Sequence, residues 1–283
     1  MNVLKVYRSL SGEQKQILAD KKVALNRPVG ELLALLKPIA GCDRVADKAR
    51  TPLGCTFAFF LVAVIALIVV WANVGGILMI VPILLAVALL VGSASLFFWT
   101  KKIDVSNNLR EFVLPVLTVF REDIAPDQPV RVSLDLRSPT SPEKRTSESE
   151  PYKHGVYYKV VDSQYRDEWM NAEAVLVDGT RLRWSIVDEI RERKKTKKNP
   201  RGKIKTKTKY RKNTEIEIEV GMKKKTYAVA APQDADVKSG EKRDAIRMVR
   251  RVRSDSIDPI VPRALIDAVA DVYRNARPAK KEA

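Results

Sequence analysis

Residues 51–100 read TPLGCTFAFFLVAVIALIVVWANVGGILMIVPILLAVALLVGSASLFFWT, fifty positions without one Asp, Glu, Lys, Arg or His. A helix that crosses a bilayer needs about 20 consecutive apolar residues, so this block has room for two crossings and a short turn. Turn formers cluster at Asn73-Val74-Gly75-Gly76, between two apolar runs. The block therefore reads as a transmembrane hairpin with spans over about 53–72 and 77–99. Trp71 and Trp99 fall at the span ends, where amphipathic rings prefer the membrane interface. Ala88 and Gly92 form a small-xxx-small pair that would let the spans pack closely. The block is too long, and too far from Met1, to read as a secretory signal peptide.

The flanks orient the hairpin. Arg44, Lys48 and Arg50 precede it, Lys101 and Lys102 follow it, and the turn is uncharged. Cytoplasmic flanks are the positive ones, so both termini are expected in the cytoplasm of a bacterial-type inner (plasma) membrane. With no ionisable residue between the flanks, a proton relay or ion-coupled transporter has nothing to work with.

The whole chain has 283 residues and a net charge of +17. Residues 1–50 carry ten Lys/Arg against five Asp/Glu, and residues 101–283 carry 41 against 29. Residues 191–212 alone hold thirteen Lys/Arg and one acid, Glu192, which accounts for the entire excess of the C-terminal part. The basicity is one concentrated stretch, and such a stretch looks for an anionic partner.

Catalytic sets are missing. One His (His154) and two Cys (Cys42, Cys55) give no metal-ligand spacing and no disulfide framework. No phosphate-binding Gly-rich loop or HExxH pattern is present. Asp162, Asp167, Glu168, Asp188 and Glu189 read as acids scattered over turns and strand ends. The expectation is a non-enzymatic protein without a cofactor.

Outside the apolar block, Ser11-Gly12-Glu13-Gln14 reads as a capping box that starts a helix to about Leu25. A second short helix is expected over Val29–Leu36, closed by Pro38. Leu109, Phe112, Val113, Val116, Leu117 and Phe120 recur at helical spacing, which predicts an amphipathic helix over Ser106–Glu122. Alternation then takes over: strands are expected over 129–137, 157–161, 170–177, 181–192, 203–211, 215–220 and 224–229. Residues 138–153 read as a mobile loop, Asp178-Gly179 as a hairpin turn, and 233–241 as a polar linker. Residues 245–253 fit a helix or a strand, 263–276 a closing helix, and 278–283 a frayed tail. Trp169, Trp184 and Tyr158 are assigned to the core.

These elements describe a membrane-anchored α+β protein. Residues 1–50 form an N-terminal cytoplasmic helical segment, 51–100 the hairpin, and 101–125 a juxtamembrane helix. Residues 126–232 form a cytoplasmic antiparallel β-sandwich or open barrel, and 233–283 a linker and closing helix.

The candidate site is the basic stretch. Arg191, Arg193, Lys194, Lys195, Lys197, Lys198, Arg201 and Lys203 surround an Asn199-Pro200 turn with almost no acid among them. Beyond them, Lys203, Lys205, Lys207, Lys209 and Arg211 alternate with uncharged residues, and Glu215, Glu217 and Glu219 follow in the same alternation. A turn at 211–213 would set Lys209 opposite Glu215, Lys207 opposite Glu217 and Lys205 opposite Glu219, a neutralising ladder. The unpaired part points to anionic lipid headgroups or an acidic protein, with nucleic acid as a further candidate. Tyr210 is the one aromatic within the stretch, too few for a base-stacking platform. A homo-oligomer is expected. The competing expectation is a membrane effector whose β-domain senses a ligand such as a nucleotide while its spans assemble.

Overall fold

The structure, a computed structural model, describes residues 3–229 and 235–279. Two compact units emerge, one from the chain up to Asp20 with Lys37–Val105, the other from Lys21–Leu36 with the chain from Ser106 on.

The first unit is helical. It holds α1 (Val3–Ser9), α2 (Gly12–Asp20), most of α3 (Val29–Val74) and α4 (Ile80–Lys102). The capping box forms: Gln14 N–H donates to Ser11 Oγ at 3.2 Å, and Ser11 N–H donates to Gln14 Oε1 at 2.9 Å. The helix it starts ends at Asp20 rather than Leu25, because Lys21 takes φ 54°, a left-handed conformation that closes a helix. Residues 22–28, expected in that helix and its end, instead form a strand.

Pro38 does not close the next helix. α3 runs 46 residues through both Pro38 and Pro52. Proline removes one helical hydrogen bond, but buried Leu32, Leu36, Ile39, Cys42 and Ala46 keep three- and four-residue spacing straight across the site. Packing along that stripe outweighs the lost bond. Gly75 (φ 67°) and Gly76 (φ 99°) make the turn that follows, a backbone that side chains strain to adopt. A 3₁₀ turn at Ile77–Met79 leads into α4. α3 and the Ile77–Lys102 helix are each long and apolar enough to cross a membrane.

Ala88 and Gly92 are exposed, and a Cβ on Gly92 would meet nothing within 4 Å. The buried small residues of α4 are Ala86 and Ser93, one heptad apart. Ala88 lies two positions on, nearly opposite on the helix, so the expected seam is not the one used. At the far end, Trp99 is half-buried and edge-on to Tyr7 at 5.0 Å, and Lys101 lies 4.5 Å over the Phe97 ring. Trp71 is exposed. Arg50 pairs with Asp47 (3.1 Å) and Asp104 (2.7 Å).

The second unit is built on strands: β1 (Lys22–Pro28), β2 (Pro129–Asp135), β3 (Arg145–Glu148), β4 (Tyr152–His154), β5 (Tyr157–Val175), β6 (Arg181–Lys198), β7 (Ile204–Lys223), β8 (Tyr227–Val229), β9 (Ala235–Ser239), β10 (Arg243–Ser254) and β11 (Ala276–Pro278). All but β8 and β11 form one antiparallel sheet of order β1-β2-β5-β6-β7-β10-β9, with β3 and β4 added beside β5. The sheet is not closed into a barrel: β1 and β9 are its edges. β8 pairs with β11 alone.

Several expected breaks are absent. Residues 157–161 and 170–175 belong to one strand, β5, whose alternation changes phase at a bulge between Glu168 and Met170. The turn expected at 211–213 does not exist, because β7 runs unbroken from Ile204 to Lys223. Residues 138–153 are not a free loop, since β3 and β4 pair with β5. Residues 235–239 of the expected linker form β9, and 224–229 do not return along β7. Residues 233–234 and the tail from 280 lie outside the described residues. Residues 245–253 resolve as strand. The Asp178-Gly179 turn forms as expected, with Gly179 at φ 80° and Thr180 N–H capping Asp178 Oδ1 at 2.8 Å.

One sheet face is the core. Leu182, Trp184, Ile186, Ile216, Ile218 and Val220 alternate inward from β6 and β7 and are at most 2% exposed. A π-helical turn (Leu109–Val113) leads into α5 (Leu114–Phe120), and these cover the face: Phe112 packs on Trp169 at 5.3 Å and Phe120 on Trp184 at 5.5 Å. The closing helix, α6 (Arg263–Arg274), buries Leu265, Ala268, Val269 and Val272. The leucine and the two valines each contribute about 1.5–3 kcal/mol. Tyr158, expected inside, is 45% exposed.

Candidate functional site

The register of β6 against β7 builds the site. Their paired ladder runs from Arg181 opposite Gly221 to Lys198 opposite Ile204, and the link is a turn in which Asn199 N–H donates to Lys203 C=O and Gly202 N–H to Asn199 C=O. Gly202 takes φ 80° there. Even-numbered residues of both strands face the core as far as Glu192 and Tyr210, and odd-numbered ones face outward. Past that point the core ends, and nearly every residue on both faces is exposed or half-buried. We call residues 193–209, beyond the core, the arm.

In the outward rows the cations meet each other. Arg191 stands opposite Arg211, Arg193 opposite Lys209, Lys195 opposite Lys207, and Lys197 opposite Lys205. The expected ladder of Lys205, Lys207 and Lys209 against Glu219, Glu217 and Glu215 does not form, because it required the missing turn. Those glutamates lie farther down β7 and bind other partners: Arg251 Nε is 3.0 Å from Glu215, Arg247 Nε 2.6 Å from Glu217, and Arg183 Nη1 3.8 Å from Glu219. Like charges directly opposed across a strand pair destabilise it.

Of the eight cations singled out from sequence, Arg191, Arg193, Lys195 and Lys197 share the outward face. Lys194 and Lys198 are on the opposite face, Lys194 paired with Glu192 at 3.1 Å. Arg201 and Lys203 are exposed in and beside the turn. Lys209, expected in the ladder, and Arg211, expected in the turn after it, are part of the site.

The base of the arm holds an acid that sequence reading placed among scattered carboxylates. Asp162, on β5 opposite Arg193, accepts from Arg193 Nε (2.6 Å) and Nη2 (2.9 Å), from Arg191 Nη2 (3.1 Å) and from Tyr152 Oη (2.9 Å). The Arg193 hydrogen bonds hold its carboxyl well below the usual carboxylate range, with those from Tyr152 and Arg191 adding to the effect. Asp162 fixes two guanidinium groups side by side. Around them lies a recess of about 420 Å³ lined by Arg191, Arg193, Lys195, Thr208, Lys209, Tyr210, Arg211 and Asp255. A wider recess of about 830 Å³ adjoins it, shares Arg191, Arg211 and Asp255, and adds Arg253.

On the core side the arm's root is closed by a polar cluster. Glu192 accepts from Tyr165 Oη (3.2 Å) and Tyr210 Oη (3.1 Å). Asp167 and Asp188 face one another in register, both buried. Lys144 Nζ lies 2.7 Å from Asp167 and 3.3 Å from Asp135. Lys212 Nζ lies 3.8 Å from Asp188 and donates to the Asp258 carbonyl. Burial pushes Asp167 up to about 6 despite Lys144, and burial likewise raises Asp188. Asp135 is held down at about 2, because its burial is outweighed by Arg137 hydrogen bonds and the Lys144 charge. These groups pair charge with charge inside the sheet, although both Asp167 carboxylate oxygens lack a hydrogen-bond partner among the described residues, and the outward recess is where cations gather. Among the described residues, a carboxylate cluster of metal-ligand size is Asp43, Asp47 and Asp104, in the helical unit. Arg50 already binds Asp47 and Asp104, and Asp43 accepts from the Val105 N–H at 3.1 Å.

Neither a protein-family model, nor a curated protein, nor a solved structure matches this chain.

Proposed function

We propose that this chain is a non-enzymatic, membrane-anchored binding protein of the bacterial inner-membrane type, whose arm docks on anionic lipid headgroups. The observation that carries the reading is the outward face of the arm and its base, where four cation pairs stand opposite one another across the two strands and Asp162, bound to Arg191 and Arg193 at the base, is the acid that meets them. A strand pair of that kind is relieved by an anionic surface.

The anchor reading is supported by the apolar exterior of the two long helices. Phe59, Val62, Val81, Leu84 and Leu85 are each more than 60% exposed. A soluble protein rarely leaves so continuous an apolar surface in water. Cations at the flanks support a cytoplasmic sheet unit, and an anchored chain has headgroups as its nearest polyanion. Each cation near such a surface is worth about 1 kcal/mol.

The test uses the full chain in neutral nanodiscs and its flotation with phosphatidylglycerol vesicles over a salt series. The variant Lys197→Gln, Lys198→Gln, Lys205→Gln, Lys207→Gln removes four cations from the arm's tip. Binding should weaken by about 10³-fold at low salt, the equivalent of about 4 kcal/mol. Unchanged flotation would overturn the reading. Salt-sensitive capture of duplex nucleic acid without flotation would also overturn it, in favour of a phosphate-tracking strand pair.

A further inference from the structure

We propose that the recess at the arm's base is a site for a compact phosphate-class anion carrying at least two charges, a phosphomonoester or a pyrophosphate group. The proposal rests on the reading of the arm as an anion-binding element and assigns its base a separate, more selective role.

Three observations support it. The recess of about 420 Å³ is lined by five cations, Arg191, Arg193, Lys195, Lys209 and Arg211, against one acid, Asp255. Its volume lies within the range of small-ligand sites, about 300–1,000 Å³. With Asp162 bound behind Arg191 and Arg193 the cations still outnumber the acids by three, so an anion of two or more charges matches the lining better than a monoanion.

The guanidinium groups are also held in advance. Asp162 takes both Nε and Nη2 of Arg193 and one Nη2 of Arg191, and is itself bound by Tyr152. A guanidinium has five N–H donors, so Arg193 keeps three uncommitted and Arg191 four. Positioned guanidinium forks suit phosphate oxygens, which accept two parallel hydrogen bonds. A site whose donors are fixed before binding loses less order when it fills.

Finally, the lining selects for the phosphoryl group itself. Tyr210, its one aromatic residue, already gives its hydroxyl to Glu192 at 3.1 Å. The rest of the wall is charged or, at Thr208, a hydroxyl, so a nucleoside base finds no apolar platform. What remains is charge and hydrogen-bond donors around a small anion.

Titration calorimetry of the full chain in detergent, with sodium pyrophosphate at fixed ionic strength, tests the site. Wild type should bind. The base variant Arg191→Gln, Arg211→Gln should bind at least tenfold more weakly, while the tip variant Lys197→Gln, Lys198→Gln, Lys205→Gln, Lys207→Gln should stay within about twofold. Arg211→Lys, which keeps the charge but not the fork, should retain part of the affinity and reports that the arm still folds. Flotation with phosphatidic acid against phosphatidylglycerol vesicles of equal surface charge separates the sources. A phosphatidic acid preference lost in the base variant assigns the anion to lipid, and pyrophosphate binding without that preference assigns it to a soluble phosphate. Absence of both, or equal losses in base and tip variants, overturns the proposal. Failure of the arm reading is seen separately, as phosphatidylglycerol flotation that survives in the tip variant.

Discussion

The outward face of the sheet carries two regions of similar charge density and opposite design. On the floor, cations and acids interleave: Arg131 and Arg183 flank Glu173 (3.4 and 3.3 Å), Arg247 binds Glu217, and Arg251 binds Glu215. On the arm, the same strands continue with cation opposite cation. The floor lies over Trp184, Ile218 and Val220, whereas the arm has no core beneath it. Where the strands are anchored by apolar burial, their surface charges are balanced. Where burial ends, the balance thins to Asp162 and Glu192 at the arm's base, so beyond them the arm's shape depends on its own ladder hydrogen bonds and on whatever anion it meets.

The largest test of that contrast lies beneath the floor, where even buried cations are paired. Replacing Lys144 by Met removes the cation 2.7 Å from Asp167 and 3.3 Å from Asp135. An uncompensated buried charge costs about 3–5 kcal/mol, and urea unfolding of the full chain in detergent, followed by tryptophan fluorescence, should show that loss. A loss under about 1 kcal/mol would mean that water reaches the pair and that the floor is no more closed than the arm.

A pH series sharpens the same point. Asp167 is raised from 3.8 to about 6 in the folded chain. The folded state therefore holds this proton more tightly than the unfolded chain. Stability falls as pH rises from about 4, and the penalty is complete above about 6; at 1.36 kcal/mol per unit it amounts to about 3 kcal/mol. Asp135 acts in the opposite sense: its lowered value, about 2, gives stability that is present above about 4 and lost as pH falls through about 2. The sheet unit should be most stable near pH 4 as far as these groups decide it. In Asp167→Asn the decline between pH 4 and 7 should shrink, and an unaltered slope would remove Asp167 from the account.

How much of this was legible in the sequence follows from which residues break the patterns. The charge-free block, which gives two long apolar helices, and the Ser11–Gln14 box, the Asp178-Gly179 turn and the closing helix, which form as read, are local signals. The strand boundaries failed for tertiary reasons. β5 reads as two strands because the bulge beside Trp169 switches the inward face from odd to even residues. β7 reads as a hairpin because its outward residues change from lysine to glutamate at Lys212–Thr214. That change marks the place where the strand passes from the bare arm onto the covered floor. Inward-facing Lys212 and Thr214 hide the strand's continuity further, because their partner is a buried acid, Asp188, rather than an apolar neighbour. β3 and β4 lie against β5 with exposed side chains throughout apart from the pairing itself, so no apolar alternation announces them. The arm's cations were visible as a set. Their opposition was not, because register is a property of two strands and the turn between them.

The finest test concerns sign rather than size. Arg251→Gln on the floor removes a cation that stands in register with Glu215 and binds it at 3.0 Å. An opposed pair of opposite charge contributes about 0.2–1 kcal/mol, so this variant should loosen its strand pair by that amount. Lys207→Gln on the arm removes a cation that stands in register with Lys195. The same rule then predicts a gain of similar size. Hydrogen exchange at low salt reads both locally: amides of β7 and β10 around Glu215 should exchange faster in the first variant, and amides of 194–208 more slowly in the second. Because these charges are exposed, both differences should fade at high salt, where the Debye length falls to about 3 Å. If Lys207→Gln also speeds exchange, the lysine stems are contributing more by covering the ladder than their charges cost. In that case the arm has no repulsion for an anion to relieve, and its partner has to be sought in shape instead of charge.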